Sequence, residues 1–154
     1  MARSARRSRA TKETSVDVFI DLDGPASTSI DTGIPFFDHM LDQLGKHGGF
    51  HLEVKAKGDL HIDTHHTIED VSISLGEAFR EALGDKAGIR RFASGAFPLD
   101  EALIEIALDL SGRPFVSFQV VMPESLPLGN PAFDPQLAEH AVSSFATAAA
   151  ITLH

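Results

Sequence analysis

Residues 59–70, "DLHIDTHHTIED", place three histidines and four carboxylates in twelve positions of a 154-residue chain. That density suits acid–base chemistry or a divalent cation. With no cysteine in the chain, any metal must be held by nitrogen and oxygen ligands, which favours manganese, iron, zinc or magnesium. Successive helical residues diverge by about 100°, while residues three and four apart share a face. On a helix opening with "HHTIED", His65 and His66 therefore splay apart, and Glu69 can accompany either one. Two separate ions, or one ion and one substrate contact, fit that fan better than a single ion chelated by both rings. His61 and Asp63 could orient these groups from behind, and Asp63 or Thr64 has the chemistry of a helix N-cap. The bland alternative is a polar helix start satisfied by water and backbone; Glu69 in register and further histidines at matching places favour the metal.

Those side chains need elements to hold them. Val16, Val18, Ile20 and Leu22 alternate with mostly acidic residues, the period of a half-buried strand, and "DLDG" supplies a turn before a short strand near "STSID". "PFFDHMLDQLGKHGG" sets Phe37, Met40, Leu41 and Leu44 on one helical face with His39 beside it, and Gly48 and Gly49 as the stop. Strand alternation returns at Phe50, Leu52, Val54 and Ala56. The helix opened by the histidine cluster then carries Ile68, Val71, Leu75, Ala78, Phe79 and Ala82 at helical spacing.

The second half repeats this order. Ala102, Ile104, Ile106, Leu108 and Leu110 alternate as a strand, "RPFVSFQVV" reads as another, and "SGRP" predicts a hairpin joining them. A Pro-rich connection leads into the helix "QLAEHAVSSFATAA" and then the extended "ITLH". His39 stands eleven residues before Phe50 and His140 eleven before Ile151, so the two are equivalent positions of a repeat and natural additional ligands. The second repeat reads as truncated: it lacks the helix that would answer "HHTIE".

Length and composition predict a single compact domain. The first twelve residues carry five of the thirteen basic side chains and no acidic one, leaving eight against all 22 acidic residues elsewhere. That segment predicts a solvated, disordered tail, and the acidic body argues against nucleic acid as a partner. No apolar run approaches a membrane span or a secretory signal, so a cytoplasmic protein without membrane contact is expected. Arg91 in "GIRRF" and Arg113 in "SGRPF" are surface salt-bridge residues by default, yet an anionic substrate of an acidic protein needs a cationic clamp such as these.

Taken together, "KETSVDVFIDLDG", "TGIPFFDHMLDQLGKHGGF", "GDLHIDTHHTIEDVSISLGEA", "GIRRF", "DLSGRPF" and "AEHAVSSF" resemble the imidazoleglycerol-phosphate dehydratase family over nearly the whole chain. The resemblance implies an α+β fold built from a duplicated half-domain, each half a four-stranded sheet with two helices on one face and the helices sandwiched between the sheets. On that basis residues 1–12 form the tail, 13–92 the first half and 93–154 the second, lacking its last helix. It implies two Mn2+ sites per subunit, with His39, His65, His66, Glu69 and His140 as ligands. Glu13 is implied as the acid/base carboxylate, and Glu13, His39, Asp42, His47, His65, His66, Glu69, Arg91 and Arg113 as substrate contacts. A phosphorylated imidazole substrate, a hydro-lyase reaction in histidine biosynthesis and a twenty-four-subunit assembly are implied in the same way. The family's second His-His-x-x-Glu and its C-terminal Ser/Lys phosphate loop have no match here. A non-catalytic role, with the same ligands stapling subunits together, is the alternative reading.

Overall fold

The acidic and apolar alternation of the first half folds as expected into strands with one buried face. The computed structural model describes residues 3–122 and 126–154; residues 1–2 and part of the Pro-rich connection lie outside the described residues. Its first half contains β1 (Ser4–Ala10), β2 (Thr14–Asp21), β3 (Ser27–Asp31), α1 (Pro35–Gly48), β4 (His51–Gly58) and α2 (His65–Ala82). The second contains β5 (Phe92–Leu99), β6 (Ala102–Asp109), β7 (Phe115–Val116), α3 (Leu137–Ala148) and β8 (Thr152–Leu153).

Each half makes one four-stranded sheet, ordered β1-β2-β4-β3 and β5-β6-β8-β7. In both, the first strand pairs antiparallel with the second, the second antiparallel with the fourth, and the fourth parallel with the third. The identical topology establishes the duplication that the histidine spacing suggested. It also corrects the hairpin expected through "SGRP": β8 lies between β6 and β7, just as β4 lies between β2 and β3. β6 instead forms its hairpin with β5, a strand that "FASGAFPL" scarcely signals.

The tail expectation is overturned as well. Ser4–Ala10 is an edge strand in register with β2 from Ser4 opposite Asp21 to Ala10 opposite Ser15. Its apolar contribution is small, with only Ala5 buried. What fixes it is charge pairing: Arg3 with Asp23, Arg6 with Asp17 and Glu53, Arg7 with Glu81, and Arg9 with Asp70. All but the last are exposed pairs that contribute little individually, while Arg9 reaches a buried carboxylate, and together they act with a continuous backbone ladder.

Val16, Val18, Ile20, Leu52 and Val54 from the first sheet pack against Phe37 and Leu41 of α1 and Ile68, Val71 and Leu75 of α2. Full burial of such side chains stabilises by about 1.5–3 kcal/mol each. Met40 and Leu44, expected on the same face of α1, stay at 40% and 44% exposure. The helix ends at Gly49, whose φ of 75° suits a residue without a Cβ and lets its N–H donate to the Gly45 carbonyl. α3 packs on α2 and, through Phe145 and Ala146, joins Phe79 to Leu110, Val116 and Leu153 of the second half. Helices thus separate the two sheets. Gly76 permits the approach, since a Cβ there would lie 2.5 Å from the Phe145 carbonyl oxygen and 2.8 Å from Ala148 Cβ. Farther along the second sheet, Phe97, Leu99, Ile104 and Ile106 share one face, and no described helix covers them.

Candidate metal centre

Helix α2 sorts the histidine cluster into two rows. His65 and Glu69, four residues apart, face α3; His66 and Asp70, again four apart, turn to Asp59 just past β4 and to Arg9 and Thr14 of β1 and β2. The first row meets His140 on α3, and ligand atoms of His65, Glu69 and His140 all lie within 4.8 Å of one another. The His65 and His140 rings stack with centroids 4.5 Å apart, whereas the His65 and His66 rings are nearly perpendicular, at 85°. Of the two imidazoles Glu69 could accompany, it joins His65. The fan read from helical spacing is therefore present, and each row has its own destination.

His140 carries the main sign of a missing partner. Its Nε2 is buried and accepts or donates no hydrogen bond. Glu69 Oε1 lies 3.4 Å away, within ion-pair reach but without hydrogen-bond geometry. A buried imidazole nitrogen left unpartnered costs free energy. Two imidazoles and a carboxylate converging on one point form the hard nitrogen and oxygen donor set that divalent manganese, iron or zinc accepts. The residues fit a metal.

The second row is organised differently. His66 Nδ1 is 3.0 Å from Asp59 Oδ2, a carboxylate–histidine pair that fixes the ring and leaves Nε2 as the remaining nitrogen. The Asp59 hydrogen bond raises the His66 pKa above the usual imidazole value, and the charges of Asp59, Asp63 and Glu13 push the same way against desolvation. Glu13 is thereby close enough to influence His66, although it is exposed on the turn between β1 and β2. Asp59 was not singled out from the sequence. Its place seven residues before His66, where β4 ends, was the available signal.

At the helix start, Asp63 Oδ1 accepts the His65 backbone N–H at 2.8 Å, while the Thr64 hydroxyl turns away to donate to the Ala132 carbonyl at 3.0 Å. Thr64 thus stands at the N-cap position without a side-chain cap hydrogen bond, and Asp63 satisfies the first helical N–H from one residue outside it. His61 remains exposed. Asp70, which sequence reasoning passed over, is buried and accepts hydrogen bonds from Arg9 Nε at 2.7 Å and from the Thr14 hydroxyl.

Other expected residues stand apart from the triad among the described residues. His39 is exposed on α1. Asp42 bonds Thr28 and Lys46, and the Lys46 hydrogen bond leads the lowering of its pKa. His47 Nε2 lies 3.0 Å from Gln43 Oε1. Arg91 is engaged by both oxygens of Asp109, at 2.6 and 2.9 Å. Arg113 is exposed, and among the described residues its guanidinium makes no ion pair. Clefts of about 510 and 480 Å³ flank the triad, one lined by Asp63, His65 and Asn130, the other by Glu69, Glu77, His140 and Ser143. No helix of the described residues is long and apolar enough to cross a membrane.

Comparison with known proteins bears on the family and the fold. The family model described as imidazoleglycerol-phosphate dehydratase matches residues 32–154. An imidazoleglycerol-phosphate dehydratase of Parafrankia sp. is 55% identical over 154 residues, covering 100% of this chain and 77% of that protein. One from Gluconobacter oxydans is 53% identical over 153 residues, covering 99% and 76%. Among solved structures, the Staphylococcus aureus enzyme superposes with a TM-score of 0.83 at 30% identity, covering 98% of this chain and 81% of that one. The Pyrococcus furiosus enzyme, in complex with (S)-C348, gives 0.79 at 32% identity, covering 96% and 77%. With a duplicated α+β fold in common and more than half of its residues identical to those of the Parafrankia enzyme, this chain belongs to the imidazoleglycerol-phosphate dehydratase family of hydro-lyases.

Proposed function

We propose that the chain catalyses the manganese-dependent dehydration of imidazole glycerol phosphate to imidazole acetol phosphate in histidine biosynthesis. The observation that carries the metal requirement is the convergence of His65, Glu69 and His140 around an unpartnered His140 nitrogen. These three residues would hold one ion. His66, oriented by Asp59, and His39 are the proposed contributors to a second. A manganese ion bound there supplies Lewis acidity toward a nitrogen of the substrate's imidazole.

The proton to be lost sits on a carbon with no adjacent carbonyl, so the substrate's ring must relay the electrons. The hydroxyl on the carbon next to the ring leaves, the neighbouring carbon gives up its proton, and the resulting enol becomes the ketone. Glu13 is the proposed acid/base for that proton, and its influence on His66 supports a place beside the second row of α2. Arg113, exposed and without an ion pair among the described residues, is the better proposed phosphate contact; Arg91 must first share or release Asp109. Asp42 and His47 remain proposed contacts on α1. The family resemblance further supports a twenty-four-subunit, cytoplasmic assembly.

The test is product formation by manganese-loaded protein. Chelation should abolish the ketone product and manganese restore it, while Glu13→Gln should keep its metal and lose about 10²–10⁴-fold in turnover. Loaded protein that makes no product, or turnover indifferent to chelation, would refute the proposal.

A further inference from the structure

The turn bearing Glu13 is a three-residue connection, Thr11 to Glu13, exposed at every position. Such a turn has no apolar contact to fix it, yet a proton-transfer carboxylate must be held near its reacting atom, because misplacement by about 1 Å can cost about 10²-fold in rate. Its anchor is a chain of polar contacts. Thr11 Oγ1 accepts the backbone N–H of Glu13 at 3.2 Å and that of Thr14 at 3.0 Å. The same hydroxyl donates toward Asp70 Oδ2 at 3.4 Å, and Thr14 Oγ1 donates to that oxygen as well. Asp70 Oδ1 accepts Arg9 Nε at 2.7 Å. One buried carboxylate therefore receives the end of β1, the turn and the start of β2. It belongs to the residue directly after Glu69, in the row below His66.

We infer that Asp70 and Thr11 are positioning residues: they tie the Glu13 turn to the helix that carries the metal ligands, setting the reach of Glu13 to that helix. This rests on the reading of Glu13 as the acid/base. Asp70 is pinned by the burial of its carboxylate and by α2 itself, whereas Thr11 transmits that rigidity to a backbone N–H with no other described acceptor. The sequence feature involved is modest, a threonine two residues before the glutamate and an aspartate after the metal-ligand glutamate.

The experiment uses the manganese-loaded chain with Thr11→Ala, Thr11→Ser, Asp70→Asn, Glu13→Gln and the Thr11→Ala/Glu13→Gln double variant. Thr11 is exposed, so its alanine variant is expected to keep the wild-type Tm. Amide exchange at Glu13 and Thr14 should accelerate about tenfold in Thr11→Ala while amides in β4 and α2 keep their protection, and Thr11→Ser should restore both. Asp70→Asn should accelerate the same two amides. Turnover should fall about ten- to a hundredfold in Thr11→Ala with KM within about twofold, and adding it to Glu13→Gln should cause no further loss. Unchanged exchange at both amides, or a loss that multiplies fully in the double variant, would overturn the inference. Full turnover in Glu13→Gln would instead overturn the reading of Glu13, while the exchange result still decides whether Asp70 and Thr11 hold the turn.

Discussion

Replacing His140 with leucine should reverse its effect on stability according to whether manganese is present. Without metal, the wild-type ring keeps a buried Nε2 with no hydrogen-bond partner, beside a carboxylate oxygen 3.4 Å away. A buried unpartnered polar atom costs about 1–3 kcal/mol. Leucine removes that cost and retains most of the volume, at the loss of stacking on His65, so metal-free His140→Leu should be as stable as wild type or more so. With metal the sign changes. Manganese at about a hundred times its dissociation constant should stabilise the three-ligand site by about 2.7 kcal/mol. At about 2–4 °C per kcal/mol for a domain of this size, the wild-type Tm should rise about 5–11 °C on manganese addition. The variant, with two ligands on a single helix, should show little of that rise. Thermal scans of both proteins, with chelator and across a manganese titration, measure all four corners. An equal manganese-induced rise in the two proteins, or a chelated variant several degrees less stable than chelated wild type, would refute the assignment of His140 as an unsatisfied ligand.

Three further outcomes are expected. Gly76→Ala places a methyl against the Phe145 carbonyl and Ala148, so it should destabilise by about 1–3 kcal/mol and weaken manganese binding by shifting α3, both readable from denaturation and metal titration. Arg113→Ala should raise KM for the phosphorylated substrate more than for its dephosphorylated analogue; equal losses would mark Arg113 as structural. Asp109 has its pKa lowered chiefly by the Arg91 hydrogen bond, so its contribution is present above the unfolded carboxylate value, near about 4, and is lost as pH falls through the folded value. Urea denaturation of wild type and Asp109→Asn should accordingly differ at neutral pH and converge in acid.

Where local pattern and long-range contact coincide, the residues were readable. The buried faces of β2, β4 and α2 followed from their periods, and the spacing of His39 and His140 matched a duplication that the sheet topology reproduces. β1 was opaque because its order depends on acids distant in sequence: Asp23, Asp17, Glu53, Glu81 and Asp70 give its arginines partners that composition does not reveal. The position of β8 between β6 and β7 was hidden for a related reason, since neighbouring hydrophobic runs look like a hairpin until the returning strand is counted. In the site, helical geometry separated the two imidazoles but left Glu69 uncommitted; only the docking of α3 selects His65. Asp59 and Asp70 look like ordinary polar punctuation until folding places His66 and the Glu13 turn against them.

The two halves are unequal in what they bury. Among the described residues, fifteen buried ones form the cluster centred on the first sheet, against three in the cluster under the second. Local opening should consequently begin in the second half, at a lower free-energy cost than disruption of the first. His140 sits on α3, which leans on the first cluster through Leu137, Ala141 and Phe145 and on the smaller one through Ala146, so the escape rate of a bound ion would report the release of that helix before the molecule as a whole comes apart.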